Sequence, residues 1–277
     1  MNQAERPAAV KQVAIAGLGV IGLRVARYLD DGKIKGMGLC AIASRDTEKA
    51  RANVAGFGMP PQITTIEQLP ELADVIVDCT PAALFRSVAL PVIEHGKILM
   101  PLSVAALLEN MDLVDEARKT GAQIVVPTGA ILGLDSVRAM AVGDIESVTL
   151  ETRKPPGGLA GAPHLVDNSI SIDNLTEPLL VFKGTAREAA KAFPANVNVA
   201  AALSLAGIGP DLTTVEVWAD PNIDRNIQAV TIRSDSGEAT MTMRNVPSPE
   251  NPRTGRIVAQ SVIATLDRLT SPLIAGT

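Results

Sequence analysis

The stretch Gly17-Leu18-Gly19-Val20-Ile21-Gly22 decides how the first half of this chain is read. It follows a continuous apolar run at 13–16 (VAIA) and leads into an apolar-periodic segment at 21–29. A short, wholly apolar run fits a strand covered on both faces, and the segment after it has helical period. Three glycines at GxGxxG spacing between a strand and a helix have separate duties. Gly17 permits the tight turn, Gly19 lets the backbone approach a pyrophosphate, and Gly22 lets helix and strand pack closely. The N–H groups of the turn and the positive end of the helix dipole then face the phosphates. A ligand-free glycine-rich turn shares the spacing, but the strand-to-helix context favours a dinucleotide site built from Gly17, Gly19, Val20, Ile21 and Gly22. The cofactor expected is NAD or NADP.

Outward from that turn the alternation continues. Strands are predicted at 39–44 (LCAIAS), 73–80 (ADVIVDCT), 97–101 (KILMP) and 123–127 (QIVVP), with helical segments between them. Strands alternating with helices imply a parallel sheet with right-handed crossovers, a Rossmann domain over residues 1–140. The second strand ends in Ser44-Arg45-Asp46. An acidic residue at that tip favours the ribose hydroxyl of NAD, and an arginine favours the 2′-phosphate of NADP. Asp46 comes late and Arg45 is also readable, less favourably, as a solvated loop charge, so Ser44 and Arg45 are candidate contacts with the cofactor preference open.

Near residue 146 the pattern changes. Segments 147–153 (SVTLETR), 214–218 (TVEVW), 228–233 (QAVTIR) and 239–244 (ATMTMR) alternate apolar and polar residues, with a hairpin turn at 234–238 (SDSGE). Period-two alternation marks strands with one face on a core, as in an antiparallel or mixed sheet. Thr185-Ala186-Arg187-Glu188 has the capping-box pattern of a helix that Pro194 ends. Ile257, Val258, Ser261, Val262, Thr265, Leu266 and Leu269 form a helical stripe. The second domain, α+β, is expected over 141–277, and the final helix at about 254–270 is free to return to the first domain.

Composition narrows the function classes. The 277 residues are 47% apolar and 20% charged, enough for a sizeable core. Aromatics are 2%, net charge is -5 and no basic cluster occurs, which argues against nucleic acid as a partner. Cys40 and Cys79 each lie in an apolar strand-like run, and no Cys/His spacing suggests a metal. The first twelve residues lack the apolar core of a signal peptide, and no apolar run reaches membrane-spanning length. A cytoplasmic protein without membrane association is expected.

Five further segments carry a resemblance: PTGAILGLD (127–135), RKPP (153–156), FKGTAREAAKAFPANVNVAAALSLAG (182–207), ADPNIDRN (219–226) and NVPSPENPRTG (245–255). Through them the chain resembles the L-aspartate dehydrogenase family nearly end to end. The resemblance implies a Rossmann domain, an α+β domain that dimerises through its sheet, and NAD(P)-dependent deamination of aspartate to oxaloacetate and ammonia through iminosuccinate. It implies cofactor contacts at Ala130, in the GAI turn, and at Asn198, which is also readable as a helix N-cap. It places a catalytic histidine two residues after the asparagine of RN, where this chain has Gln228. A histidine there can act as general base, whereas an amide orients a water but takes no proton.

Two histidines are present, His95 and His164. His95 reads as a helix C-cap; His164 follows the loop after RKPP and is either a relocated base or an exposed loop residue. A dicarboxylic amino or keto acid substrate calls for cations. Arg24, Arg153, Lys154, Arg225 and Arg253 are candidates, with Lys154 and Arg225 best placed by their motifs. The alternatives are the same fold acting on another amino or keto acid, or a catalytically impaired dinucleotide-binding protein.

Overall fold

The strands and helices follow from where the chain buries its apolar runs. The computed structural model describes residues 10–193, 197–251 and 254–276. The chain divides into two compact units. One comprises the chain through Leu102, Asn110–Val125 and Val262–Ile274; the other comprises Ser103–Glu109, Val126–Ser261 and the last residues. The division therefore falls earlier than residue 140 and passes through the last helix.

In chain order the elements are β1 (Lys11–Ala16), α1 (Val20–Asp30), β2 (Met37–Ala43), α2 (Thr47–Val54), β3 (Gln62–Thr64), α3 (Leu69–Leu72), β4 (Val75–Asp78), α4 (Phe85–Glu94) and β5 (Ile98–Pro101). There follow α5 (Val104–Leu108), α6 (Asp112–Thr120), β6 (Gln123–Ile124), α7 (Leu134–Met140), β7 (Ile145–Lys154), α8 (Pro163–Asp167) and β8 (Leu179–Thr185). The chain continues with α9 (Ala186–Ala192), α10 (Asn198–Ala206), β9 (Thr214–Ala219), β10 (Ile227–Ser234), β11 (Gly237–Arg244) and α11 (Ile257–Arg268).

The first unit is a parallel sheet in the order β3-β2-β1-β4-β5-β6. All four residues of β4 and the last four of β1 are buried, as two covered faces require. Because β2 lies on one side of β1 and β4 on the other, the strand order reverses at β1. Ligands of such sheets bind beyond the carboxyl ends of the strands at that switch point. Val262 and Leu266 of α11 join the core formed by Val13, Ile15, Val25, Val75 and Val77, so the final helix does return to the first unit.

The second unit is a mixed sheet in the order β11-β10-β7-β9-β8, with β7 and β9 parallel and the other pairs antiparallel. One face carries Val148, Leu150, Val215, Val217, Val230 and Ile232, buried with α7, α9 and α10 in one core. The capping box at Thr185 and Glu188 forms, with both reciprocal bonds present; Pro194 lies outside the described residues. The turn at 234–238 is tight, Ser234 pairing with Gly237. β8 is a strand that the alternation missed. Its LLVF run has no period of two, and only β9 borders it.

Candidate active site

In the first unit the site is the turn between β1 and α1. Gly17 has φ +89°, and a β-carbon there would lie 2.8 Å from Cys79 O. At Gly22 a β-carbon would lie 2.2 Å from Gly17 O. Both glycines are therefore fixed by packing of the chain on itself. Gly19 differs, since a β-carbon there would meet nothing within 4 Å. The first backbone bond of α1 runs from Leu23 N–H to Gly19 O, and no side chain caps the helix. The N–H groups of Val20, Ile21 and Gly22 precede that bond and are left for another acceptor. An exposed glycine with free space, uncapped amides and no acidic residue in the first turn fit a pyrophosphate.

At the end of β2, Arg45 is exposed and Ser44 Oγ donates to Asp46 O. Asp46 is the N-cap of α2, its carboxylate accepting from Lys49 N–H at 3.0 Å. The acid that sequence reading weighed as a ribose contact is thus used on the next helix. One functional-looking residue escaped the sequence reading. Asp78, at the end of β4, is fully buried, and its Oδ1 accepts from Thr80 N–H at 2.9 Å and Thr80 Oγ1 at 2.6 Å. Nothing short of its burial, which only the fold sets, distinguishes it from other strand-end aspartates.

In the second unit the buried face of the sheet is apolar except at one corner. Thr152 and Lys154 end β7, Gln228 lies at the start of β10, and Asn245 follows β11; all four are buried. Gln228 is the cross-strand partner of Thr152. Asn245 N–H donates to Asn226 O, which continues the β10–β11 ladder and puts Asn245 on the same face as Gln228. Thr152 Oγ1, Gln228 Oε1 and Asn245 Oδ1 have no hydrogen-bond partner among the described residues. Buried acceptors are seldom left so, and three together at one corner mark a place built for more than packing. Burial pushes the Lys154 ammonium down to about 8, because desolvation disfavours its charged form.

The cofactor-side candidates lie in the same unit. Gly129 N–H donates to Ser261 Oγ and Ala130 O accepts from Asn245 Nδ2, while Ala130 N–H has no partner among the described residues. Asn198 is not a cap. It is the first residue of α10, whose N-cap is Val197, and its Oδ1 accepts from Ala105 N–H at 3.1 Å. With the oxygen so held, the exposed side chain is left with its N–H groups to offer.

Two predicted residues stand apart from the corner. His164 Nε2 lies 3.1 Å from Val181 O, a pure acceptor, and Nδ1 lies 3.3 Å from Asn168 Nδ2. Its ring packs against Phe182 and Phe193. His164 thus lies in α8 with both nitrogens near polar partners, rather than in an open loop. His95 does cap α4. Arg225 is half-buried and forms a two-pronged ion pair with Asp224. It lines a cavity of about 350 Å³ with Ile227 and Arg244, whose positions alternate with Gln228 and so belong to the other face of the sheet. Arg153, on that same face, is paired with Glu151 and Asp220. Arg253 lies outside the described residues. Of the two cations best placed by their motifs, Lys154 shares the buried face with Gln228 and Arg225 does not.

Residues 135–269 match the family described as aspartate dehydrogenase, C-terminal, and residues 17–127 the family described as homoserine dehydrogenase, NAD binding domain. The chain is 52% identical to the L-aspartate dehydrogenase of Bradyrhizobium diazoefficiens, covering 96% of this chain and 94% of the relative. It is 49% identical to L-aspartate dehydrogenase 3 of Bordetella bronchiseptica, covering 96% and 97%. In fold it is similar to the solved aspartate dehydrogenase of Thermotoga maritima, with a TM-score of 0.75 at 24% identity over 96% and 99% of the two chains.

Proposed function

The chain belongs to the L-aspartate dehydrogenase family and is an NAD(P)-dependent oxidoreductase, and we propose that it interconverts L-aspartate with oxaloacetate and ammonia through iminosuccinate. The observation that carries the substrate reading is the polar corner at Thr152, Lys154, Gln228 and Asn245, where a buried lysine lies on the same sheet face as acceptors that have no partner among the described residues. Lys154 would hold a substrate carboxylate, and its ammonium would be better stabilised there than in the free protein. Arg225, tied to Asp224 on the other face, is the weaker candidate for that role.

The free amides of Val20, Ile21 and Gly22, with Gly17 and Gly19 shaping the turn, would hold the diphosphate. Ala130 N–H and the Asn198 side chain would meet the nicotinamide end. The dinucleotide, when bound, supplies or accepts the hydride. The protein's part in that step is to hold the reacting carbon in position, which needs little proton transfer from side chains. Hydrolysis of the imine does need it. Gln228 stands where the family pattern has a histidine, and an amide can orient a water but not deprotonate it. Reduction of a preformed imine is therefore the direction this site serves best.

Arg45 and Asp46 support NADP over NAD, because the arginine is exposed at the strand tip while the aspartate caps α2. A homodimer is supported by the second face of the mixed sheet. Thr214, Thr149, Thr231 and Thr240 stand in register across four strands there, half-exposed or exposed. On the same face the indole N–H of Trp218 finds no acceptor. Among the described residues no helix is long and apolar enough to cross a membrane, and both cysteines are free, consistent with the cytoplasm.

The test is to titrate NADH and NADPH by fluorescence, then add oxaloacetate with ammonia and follow loss of the reduced cofactor. Turnover supports the reading. Tight binding without turnover of oxaloacetate overturns the substrate assignment, and turnover of another keto acid alone replaces it. A Gln228→His variant should raise deamination of aspartate more than it raises imine reduction. Equal changes in both directions would remove Gln228 from the account.

A further inference from the structure

The segment 245–255 (NVPSPENPRTG) is among the most distinctive in the chain, and the chemistry above gives most of it no task. Its ends are paired: Pro247 bridges to Gly255, Ser248 N–H donates to Thr254 O at 2.8 Å, and Arg256 N–H donates to Val246 O at 2.9 Å. This pairing puts Gly255 against the Asn245 side chain. A β-carbon at 255 would lie 2.9 Å from Asn245 Oδ1 and 3.4 Å from Asn245 Cβ. The glycine therefore leaves room for one particular placement of the asparagine.

That placement spends Asn245 Nδ2 on Ala130 O at 3.1 Å. On the other side of the same turn, Gly129 N–H donates to Ser261 Oγ at 3.1 Å, and the Ser261 hydroxyl donates to Val258 O at 2.8 Å. The peptides before and after the 129–130 peptide are thus each anchored by a side chain. The 129–130 peptide between them has an N–H, that of Ala130, with no acceptor among the described residues. Gly129 has φ +67°, a region where a glycine turn can flip its following peptide at little steric cost. Anchors on both flanking peptides oppose that flip. Asn245 N–H also donates to Asn226 O at 2.9 Å, two residues before Gln228.

We propose that Asn245, with Ser261 as its counterpart, is a positioning residue that locks the 129–130 peptide so that Ala130 N–H stays available to the dinucleotide, and that ties this turn to the strand bearing Gln228. The proposal rests on the reading of Ala130 as a cofactor contact. The paired ends of that segment, 246–248 and 254–256, are then the brace that holds the Asn245 amide in place.

The test compares wild type with Asn245→Ala, Ser261→Ala and Gly255→Ala. Affinity for NADPH and NADH is read by fluorescence titration. Amide hydrogen exchange is read by mass spectrometry on peptides spanning 127–133, with and without nucleotide. Asn245→Ala should weaken nucleotide binding roughly tenfold, about the loss of one anchoring hydrogen bond and the order it imposes. It should raise KM for the nucleotide more than it lowers kcat, and abolish nucleotide-induced protection at 127–133 while exchange in β1 and β4 is unchanged. Gly255→Ala, which displaces the amide without deleting it, should shift the same readouts less. Wild-type affinity and wild-type protection in Asn245→Ala would overturn the proposal alone. If Asn245→Ala does not fold, Ser261→Ala decides by the same two readouts. A wild-type protein that binds neither nucleotide would overturn this proposal together with the reading beneath it.

Discussion

Asp78 and Lys154 are ionisable groups in places where charge is costly, one in each unit. Burial raises the Asp78 carboxyl from 3.8 to about 6, against the lowering effect of its bonds from Thr80. The folded state then binds the proton more tightly than the unfolded chain, so stability is greatest below about pH 4 and falls as pH rises through about 6. Asp78→Asn keeps an oxygen for Thr80 and removes the charge. It should stabilise the protein at pH 8 by up to about 3 kcal/mol, and flatten the pH dependence of urea unfolding between those limits. Parallel pH profiles for the two proteins would refute this. Lys154 has the opposite sign: its folded value is depressed to about 8, so the cost is full below that pH and relieved as pH climbs toward 10.5. Lys154→Met should therefore raise the unfolding midpoint at pH 7 while lowering kcat/KM for the dicarboxylate at least about 100-fold. A loss of both stability and activity would make Lys154 a structural residue. The RKPP motif pointed to Lys154 and the RN spacing to Gln228. Thr152 and Asn245 were illegible as site residues, because a threonine in an alternating strand and an asparagine at a strand end are commonplace until burial leaves their oxygens unpartnered.

At the scale of elements, the β1–α1 turn separates binding from stability. A side chain at Gly19 would meet no neighbour, whereas one at Gly22 would collide with Gly17 O at 2.2 Å. Gly19→Val should leave the thermal midpoint near that of wild type and weaken NAD(P)H binding at least about tenfold, since the branched side chain occupies the diphosphate's approach. Gly22→Ala should instead destabilise the first unit by roughly 2–4 kcal/mol, as overpacking against backbone does. Calorimetry and titration on the same two variants give the comparison, and equal effects on both readouts would contradict the division of labour. The strands of the first sheet were legible because burial on both faces leaves a continuous apolar run. β3, three residues long, and α5, five residues long, carry too little pattern to register. The N-cap reading of Asn198, kept beside that of a cofactor contact, fails because its side chain holds Ala105 N–H, 93 residues away in sequence.

At the scale of the whole molecule, the threonine row across the mixed sheet bears on assembly. β-branched residues on a flat, half-exposed face suit packing against a second sheet. Thr149→Arg, in the central strand, should convert a dimer to monomer in sedimentation velocity without unfolding the chain, and a wild-type sedimentation coefficient would sink that prediction. By itself the sequence determined the alternation that makes a parallel sheet, the glycine turn at its switch point and the change to period-two strands. These are local patterns, and local geometry is enough to read them. Only the tertiary structure decided that the last helix divides between the units at 261/262, that His164 Nε2 lies against Val181 O, and that Asn245 Nδ2 donates to Ala130 O. Each of these depends on which groups meet across long stretches of chain, and hydrogen-bond partners at such separations leave no periodic trace in sequence.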